Sequence, residues 1–178
     1  HGFFGVDVKE VREQVAALPW VDEITVRRIW PDGLQLSIEE QVPVARWGED
    51  GLLNGQGEVF VPANVAEFTA LPRLAGPLTL RERVIRQYID FRRSLDGINR
   101  YLTSIELNER RSWSVQLDNG MQIELGRDAQ AQRMALFIDV YPQVFAHAQH
   151  PAKSVDMRYS NGFAVQWQSP ETAERQEG

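Results

Sequence analysis

The 178 residues predict an α+β fold with largely antiparallel strand pairing. Three observations carry that expectation. Apolar residues recur with a helical period in three stretches. They alternate singly through most of the rest. The alternating stretches come in pairs around short turns that end in glycine. The resulting order is helix, two strands, several short strands, helix, three strands, helix, two strands.

Residues 6–18 read as the first helix, because Val8, Val11, Val15 and Leu18 form one apolar stripe. Asp7 is placed to cap it, with Glu10 three residues on as in a capping box, and Pro19 bars its continuation. A hairpin follows, with Ile24, Val26 and Trp30 on one strand and Leu34, Leu36 and Ile38 on the next. A three-residue loop, Pro31-Asp32-Gly33, would pair Trp30 with Leu34 and Val26 with Ile38, keeping both apolar sets on one face. The same device is expected at Asp118-Asn119-Gly120, pairing Trp113, Val115 and Leu117 with Leu125, Ile123 and Met121. It is expected again at Ser160-Asn161-Gly162, pairing Val155, Met157 and Tyr159 with Trp167, Val165 and Phe163. Gly33, Gly120 and Gly162 are thus expected at positive φ. Shorter strands fall at 44–47, 51–54 and 58–61. Two main helices are predicted. Residues 81–95 place Val84, Ile85, Tyr88, Ile89 and Phe91 on or near one face; residues 129–148 carry Met134, Phe137, Ile138, Val144 and Phe145. Pro142 lies inside the second and predicts a kink or a division. Pro62, Pro72 and Pro77 mark 62–77 as a surface linker, and the polar tail 169–178 is expected to be disordered.

Hydrophobic residues make up 43% and charged residues 25%, a balance that suits a packed globular chain. No apolar run approaches the roughly 18 residues that span a bilayer, and no signal-peptide pattern is present; neither speaks against an anchor upstream. The net charge of −6, with Lys and Arg scattered among Asp and Glu, argues against a nucleic-acid partner. The absence of cysteine excludes disulfides, thiol nucleophiles and thiolate metal sites. His147 and His150 share a helix face near its end with no supporting carboxylate, which fits an exposed pair better than a metal site, and His1 reads as the scar of a tag or cleavage. No nucleophile elbow, phosphate loop or zinc-protease signature occurs, and Gly55-Gln56-Gly57 reads as a turn. Asp156, with Arg158 two residues on, fits an ion pair or a surface position better than a general base. No catalytic, cofactor-binding or metal-ligating residue is predicted, which leaves a binding module.

Several runs carry a family resemblance. Leu18-Pro19-Trp20-Val21 and then Val26-Arg27-Arg28-Ile29-Trp30-Pro31-Asp32 resemble the second half of the POTRA domain of the FtsQ/DivIB cell-division proteins. Glu39-Glu40-Gln41-Val42-Pro43-Val44-Ala45-Arg46-Trp47 resembles that family's passage from the POTRA domain into its β domain. Arg111-Ser112-Trp113, Leu125-Gly126-Arg127, Phe137 through Tyr141-Pro142, and the closing run Val155 to Trp167 follow in the family's order. The resemblance implies that residues 1–41 are the C-terminal part of a POTRA domain, without its first strand and helix. It implies a β domain at 42–168 and a tail at 169–178.

The same resemblance implies a non-enzymatic divisome scaffold without cofactor. Such a protein would be the periplasmic part of a single-pass inner-membrane protein at the division septum, linking early and late division proteins for septal peptidoglycan synthesis. FtsB and FtsL are the implied partners of the β domain, with FtsK, FtsW and FtsI as further ones. Arg127, Arg158, Tyr159, Asn161, Gly162 and Trp167 match the family's partner-binding surface. A hairpin that closes the sheet offers an edge to which a partner can add a strand. Tyr and Trp are enriched at binding hot spots, yet aromatic residues at period two also suit a sheet core. Tyr159 is assigned to the interface, and Trp167 stays open between core and interface. A second reading is a POTRA-type chaperone or docking module of an outer-membrane translocation system, which would carry tandem repeats or a barrel pattern. A third, a peptidoglycan-active enzyme, would need a cleft with paired carboxylates.

Overall fold

A computed structural model of the chain describes residues 7–31 and 33–169. It is an α+β protein that divides into two compact units, residues 1–69 and 70–178. Residues 170–178 of the tail expected at 169–178, and the reading of His1, fall outside the described residues.

In the first unit, α1 (Val8–Ala16) begins at Asp7, whose carboxylate accepts the Lys9 N–H at 2.8 Å and so satisfies one of the helix's free donors. The helix stops two residues before the predicted Leu18, which is left exposed. It packs on β1 (Val21–Ile29), which pairs antiparallel with β2 (Gly33–Glu40). The expected register is corrected here. Val26 faces Leu36 and Ile24 faces Ile38, so the three-residue loop lies between Ile29 and Gly33, one residue earlier than predicted. Both registers keep the apolar residues on one face, so facial matching alone does not separate them. In the observed one Trp30 leaves the strand and is 91% exposed, while Gly33 joins β2 without a left-handed φ.

β3 (Pro43–Trp47), β4 (Gly51–Asn54) and β5 (Val59–Phe60) follow as an antiparallel set. Asn54, 2% exposed, holds this turn together. Its Oδ1 accepts the N–H groups of Gln56 and Glu58 at 3.0 and 2.8 Å, and its Nδ2 donates to Gln41 at 2.8 Å. Trp20 packs against Phe60 and Phe68 beside the buried Leu52 and Val65. The stretch 62–77 is therefore not only a surface linker. Val65 is buried, and β6 (Arg73–Ala75) buries Leu74 and Ala75.

The second unit is built on β6, β7 (Leu102–Leu107), β8 (Trp113–Leu117), β9 (Gln122–Gly126), β10 (Ala152–Asp156) and β11 (Ala164–Trp167), lying in the order β11-β10-β9-β8-β7-β6. Two helices connect parallel neighbours: α2 (Arg81–Leu95) between β6 and β7, and α3 (Gln130–Val144) between β9 and β10. The four strands run the same way and both connections step in the same direction across the sheet. Right-handed crossovers then place both helices on one face. They pack there against each other and against β6, β7 and β9.

Register sorts the side chains into rows. Leu74, Ile105, Val115, Ile123, Val155 and Val165 stand side by side across all six strands, and all but Val165 are buried. Ser104, Gln116, Gln122, Ser154 and Gln166 form the next row on the opposite, polar face. Beneath the helices lie Val84, Phe91 and Leu95 of α2 and Met134, Phe137 and Tyr141 of α3. Ile89, expected near that face, is 40% exposed. α3 runs through Pro142 without dividing and ends at Val144, short of the predicted 148. The missing proline N–H coincides with the last turn, where Phe145 and Ala146 both donate to the Tyr141 carbonyl.

The middle hairpin matches expectation at its tip. Leu117 and Met121 flank a three-residue loop, with the Gly120 N–H donating to Leu117 and Gly120 at φ 80°. Trp113 pairs with Gly126 rather than Leu125, because a bulge intervenes between Trp113 and Ser114. The last hairpin differs more. Val155 faces Val165, the strands stop at Asp156 and Ala164, and seven residues intervene. Gly162 has the positive φ expected of it, 158°, but lies outside the left-handed turn region and does not close a three-residue loop.

Gly120→Ala is expected to destabilise the fold by about 1–2 kcal/mol, the cost of a Cβ in left-handed backbone. No atom lies within 4 Å of the added carbon, so sterics with neighbours contribute nothing. Gly55, which also has open space but no positive φ, serves as control, and its alanine variant should stay within about 0.5 kcal/mol in denaturant titration.

Candidate functional site

β11 ends the strand order, and among the described residues no strand pairs with its outer side. Its inner side is tied to β10, with the Gln168 N–H donating to the Pro151 carbonyl at 3.0 Å. The outer N–H and C=O groups therefore form an open template.

The chain approaches this edge through Met157, which is buried and donates its N–H to Glu124 of β9 at 2.9 Å. Beyond that anchor it leaves the sheet. Tyr159, Ser160, Asn161, Gly162 and Phe163 line a shallow surface depression, and Tyr159 is 61% exposed. Tyr159 thus belongs to the loop and not to the strand register predicted for it. Trp167 shares the face of Val165, turned toward α3. Its ring lies 6.0 Å from that of Phe145, yet 42% of the residue stays exposed. It is at once the rim of the core and part of the surface.

Arg158 and Asp156 are two residues apart in extended chain, so their side chains share a side. The guanidinium forks onto the carboxylate, Nε to Oδ1 at 2.8 Å and Nη2 to Oδ2 at 2.6 Å, and the Arg158 N–H adds a third bond at 3.0 Å. The remaining guanidinium N–H donors face solvent, since the Arg158 side chain is 55% exposed. Gly126 explains how the arginine lies so close to β9. A Cβ there would come within 3.1 Å of Arg158 Cγ and 2.6 Å of Arg133 Nη1, and φ is 75°. Arg133 reaches across from α3 to the Leu125 carbonyl, and to that of Arg158 at 3.4 Å. Arg127, next along from Gly126, is exposed.

A family model described as Cell division protein FtsQ/DivIB, C-terminal, matches residues 45–158, and one described as POTRA domain, FtsQ-type, matches residues 1–41. The chain belongs to the FtsQ/DivIB family. The cell division protein FtsQ of Coxiella burnetii is 36% identical over 168 residues, covering 94% of this chain and 69% of that protein. That of Shewanella oneidensis is 39% identical over 173 residues, 97% of this chain and 65% of its own length. That of Xanthomonas campestris is 37% identical, over 93% of this chain and 59% of its own.

The residues for which the sequence implies a partner surface occupy three places: Arg127 after β9, Arg158 to Gly162 in the loop, and Trp167 on β11. Gly126, the residue before Arg127, lets Arg158 of the loop lie against the end of β9, and Phe145 lies 6.1 Å from Phe163 of the loop and 6.0 Å from Trp167. Asp156, Arg133 and Phe145 were not singled out as site residues from sequence. The i, i+2 spacing of Asp156 and Arg158 was the only local signal; the other two act across the fold. Among the described residues no three His, Cys, Asp or Glu side chains are grouped to hold a metal, and no helix is long and apolar enough to cross a membrane.

Arg158 also sets the local titrations. Its hydrogen bonds hold the Asp156 carboxyl below the ordinary 3.8. Glu124, beside Asp156 in the register, is held above 4.5 chiefly by burial, with Arg158 opposing the rise and Asp156 and Glu106 adding to it. A depressed folded-state pKa means that the Asp156 contribution to stability is present above 3.8 and is lost as pH falls below it. Arg158→Ala is expected to shift both carboxyl titrations upward, followed by carboxyl carbon NMR, and to remove that acid-side loss. A downward shift of either group would rule out Arg158 as the shared cause.

Proposed function

We propose that this chain is the extracytoplasmic binding part of a non-enzymatic divisome scaffold that captures FtsB, with FtsL, by strand addition to β11. The proposal takes residues 1–41 as the POTRA portion and 42–168 as the β domain, in the periplasm beneath an upstream membrane anchor. FtsK, FtsW and FtsI are further candidate partners. The observation that carries it is the free outer side of β11, flanked by Arg158, Tyr159 and Trp167 with solvent-facing area.

The physics of the edge divides the work. Backbone hydrogen bonds to β11 supply sequence-tolerant affinity, and side chains beside it supply selection. Tyr159 offers a large ring at little entropic cost. Arg158, already forked to Asp156, is pre-oriented, so its unused donors meet a partner carboxylate without a further search for conformation. Asn161, Gly162 and Arg127 complete the contact surface.

Tyr159→Ala should weaken binding of an extracytoplasmic FtsB segment by about 2 kcal/mol, the size of an aromatic hot spot. Its melting temperature should be unchanged, because the side chain leaves no cavity behind. Arg158→Glu should weaken binding further at low salt than at high salt. Titration calorimetry of both variants tests this; wild-type affinity in both would remove the hairpin from the docking surface.

A further inference from the structure

In the second unit, among the described residues, a chain of ring contacts runs from α3 to the edge strand, and the partner-binding surface does not account for it. The rings of Phe137, Tyr141 and Phe145 are in mutual contact, with centroids 5.6 Å apart for Phe137 and Tyr141, 5.8 Å for Tyr141 and Phe145, and 5.6 Å for Phe137 and Phe145. This ladder of rings is fixed at Tyr141. Arg100 Nε donates to the Tyr141 hydroxyl at 2.6 Å, and Arg100 Nη1 pairs with Asp118 at 2.9 Å. At the outer end Phe145 touches two rings at once, Phe163 of the loop and Trp167 of β11.

We infer that Phe145 is a positioning residue for partner capture: it seats Phe163 and Trp167 together, and so holds loop and edge strand in the geometry that accepts an added strand. This rests on the docking edge proposed above. The apolar row explains why the edge needs the help. Across the sheet, burial is nearly complete from Leu74 to Val155 and then fails at Val165, so β11 has little core of its own. β11 is also short, four residues, and among the described residues it pairs on one side only. With few buried contacts, such a strand opens locally at low cost. Phe145 replaces the missing core with ring contacts from α3. Phe145 caps α3 in right-handed helical backbone, with its N–H bonded to the Tyr141 carbonyl at 2.9 Å, so its ring follows one turn after that of Tyr141 and carries the inner face of α3 out to both rings.

Phe145 is only partly buried, so Phe145→Leu is expected to fold, and Phe145→Ala is the stronger variant. In the free protein, amide exchange along Val165 to Gln168 should accelerate by about tenfold or more in both variants, with rates in β7, β8 and β9 unchanged. Affinity for the FtsB segment should fall by about tenfold in Phe145→Leu, while the salt dependence of binding stays that of wild type because Arg158 is untouched. Phe145→Tyr, which keeps the ring, should restore both readouts. Unchanged exchange in β11, or exchange raised equally in every strand, would overturn the inference. So would Phe145→Leu binding with wild-type affinity. The outcomes also separate the two proposals: β11-specific exchange without any binding of the segment to the wild-type protein would refute the docking edge and leave only a structural ladder.

Discussion

One constraint organises the second unit: a row of apolar side chains, one per strand, that must all lie against the same two helices. Leu74, Ile105, Val115, Ile123 and Val155 meet it, each almost wholly buried. The row forces which face of every strand turns inward, because a slip of one residue anywhere would turn polar groups into the core. It also forces both crossover helices onto one side. The opposite side is left with serines, glutamines and acidic groups, among which Glu124 and Asp156 set the electrostatic surroundings of Arg158. The row runs out at Val165, and the open edge of the candidate docking site, with Trp167, lies where it does.

That placement reconciles two demands on the same few residues. An edge strand must stay open to accept a partner, yet an open strand without core support frays. Trp167 answers both by turning one side of its indole to Phe145 and leaving the rest in solvent. Arg158 does the same with charge, using two nitrogens on Asp156 and presenting the others. Gly126 admits the Arg158 stem and the Arg133 guanidinium because it has no side chain to displace them.

Much of the framework was legible in the sequence, for reasons that differ by element. α2 fell at its predicted bounds, and the Gly120 hairpin kept its tip because the loop, the alternation and the left-handed glycine all agreed. The outer two hairpins kept the correct faces but not the pairing, since a shift of two residues preserves every facial match. What displaced them was non-local in the last case: Phe163 packs on Phe145, and Met157 bonds to β9 instead of continuing the ladder to β11. β6 escaped notice because three residues among prolines are too few to show a period. The site itself was half legible. Arg158, Tyr159 and Trp167 stood out by type and by family resemblance, whereas Arg133 and Phe145 sit on or beside a helix and reveal themselves only in three dimensions.

The position of β11 in the chain has a consequence for synthesis. Strands β6 to β9 precede it in the chain, and among the described strands of this sheet the edge strand is the last to be made. A polypeptide cut short anywhere before residue 164 can hold most of its core and still lack the surface that a partner would grip. Assembly through this edge would thus select chains that carry β11 over shorter ones with no separate inspection step.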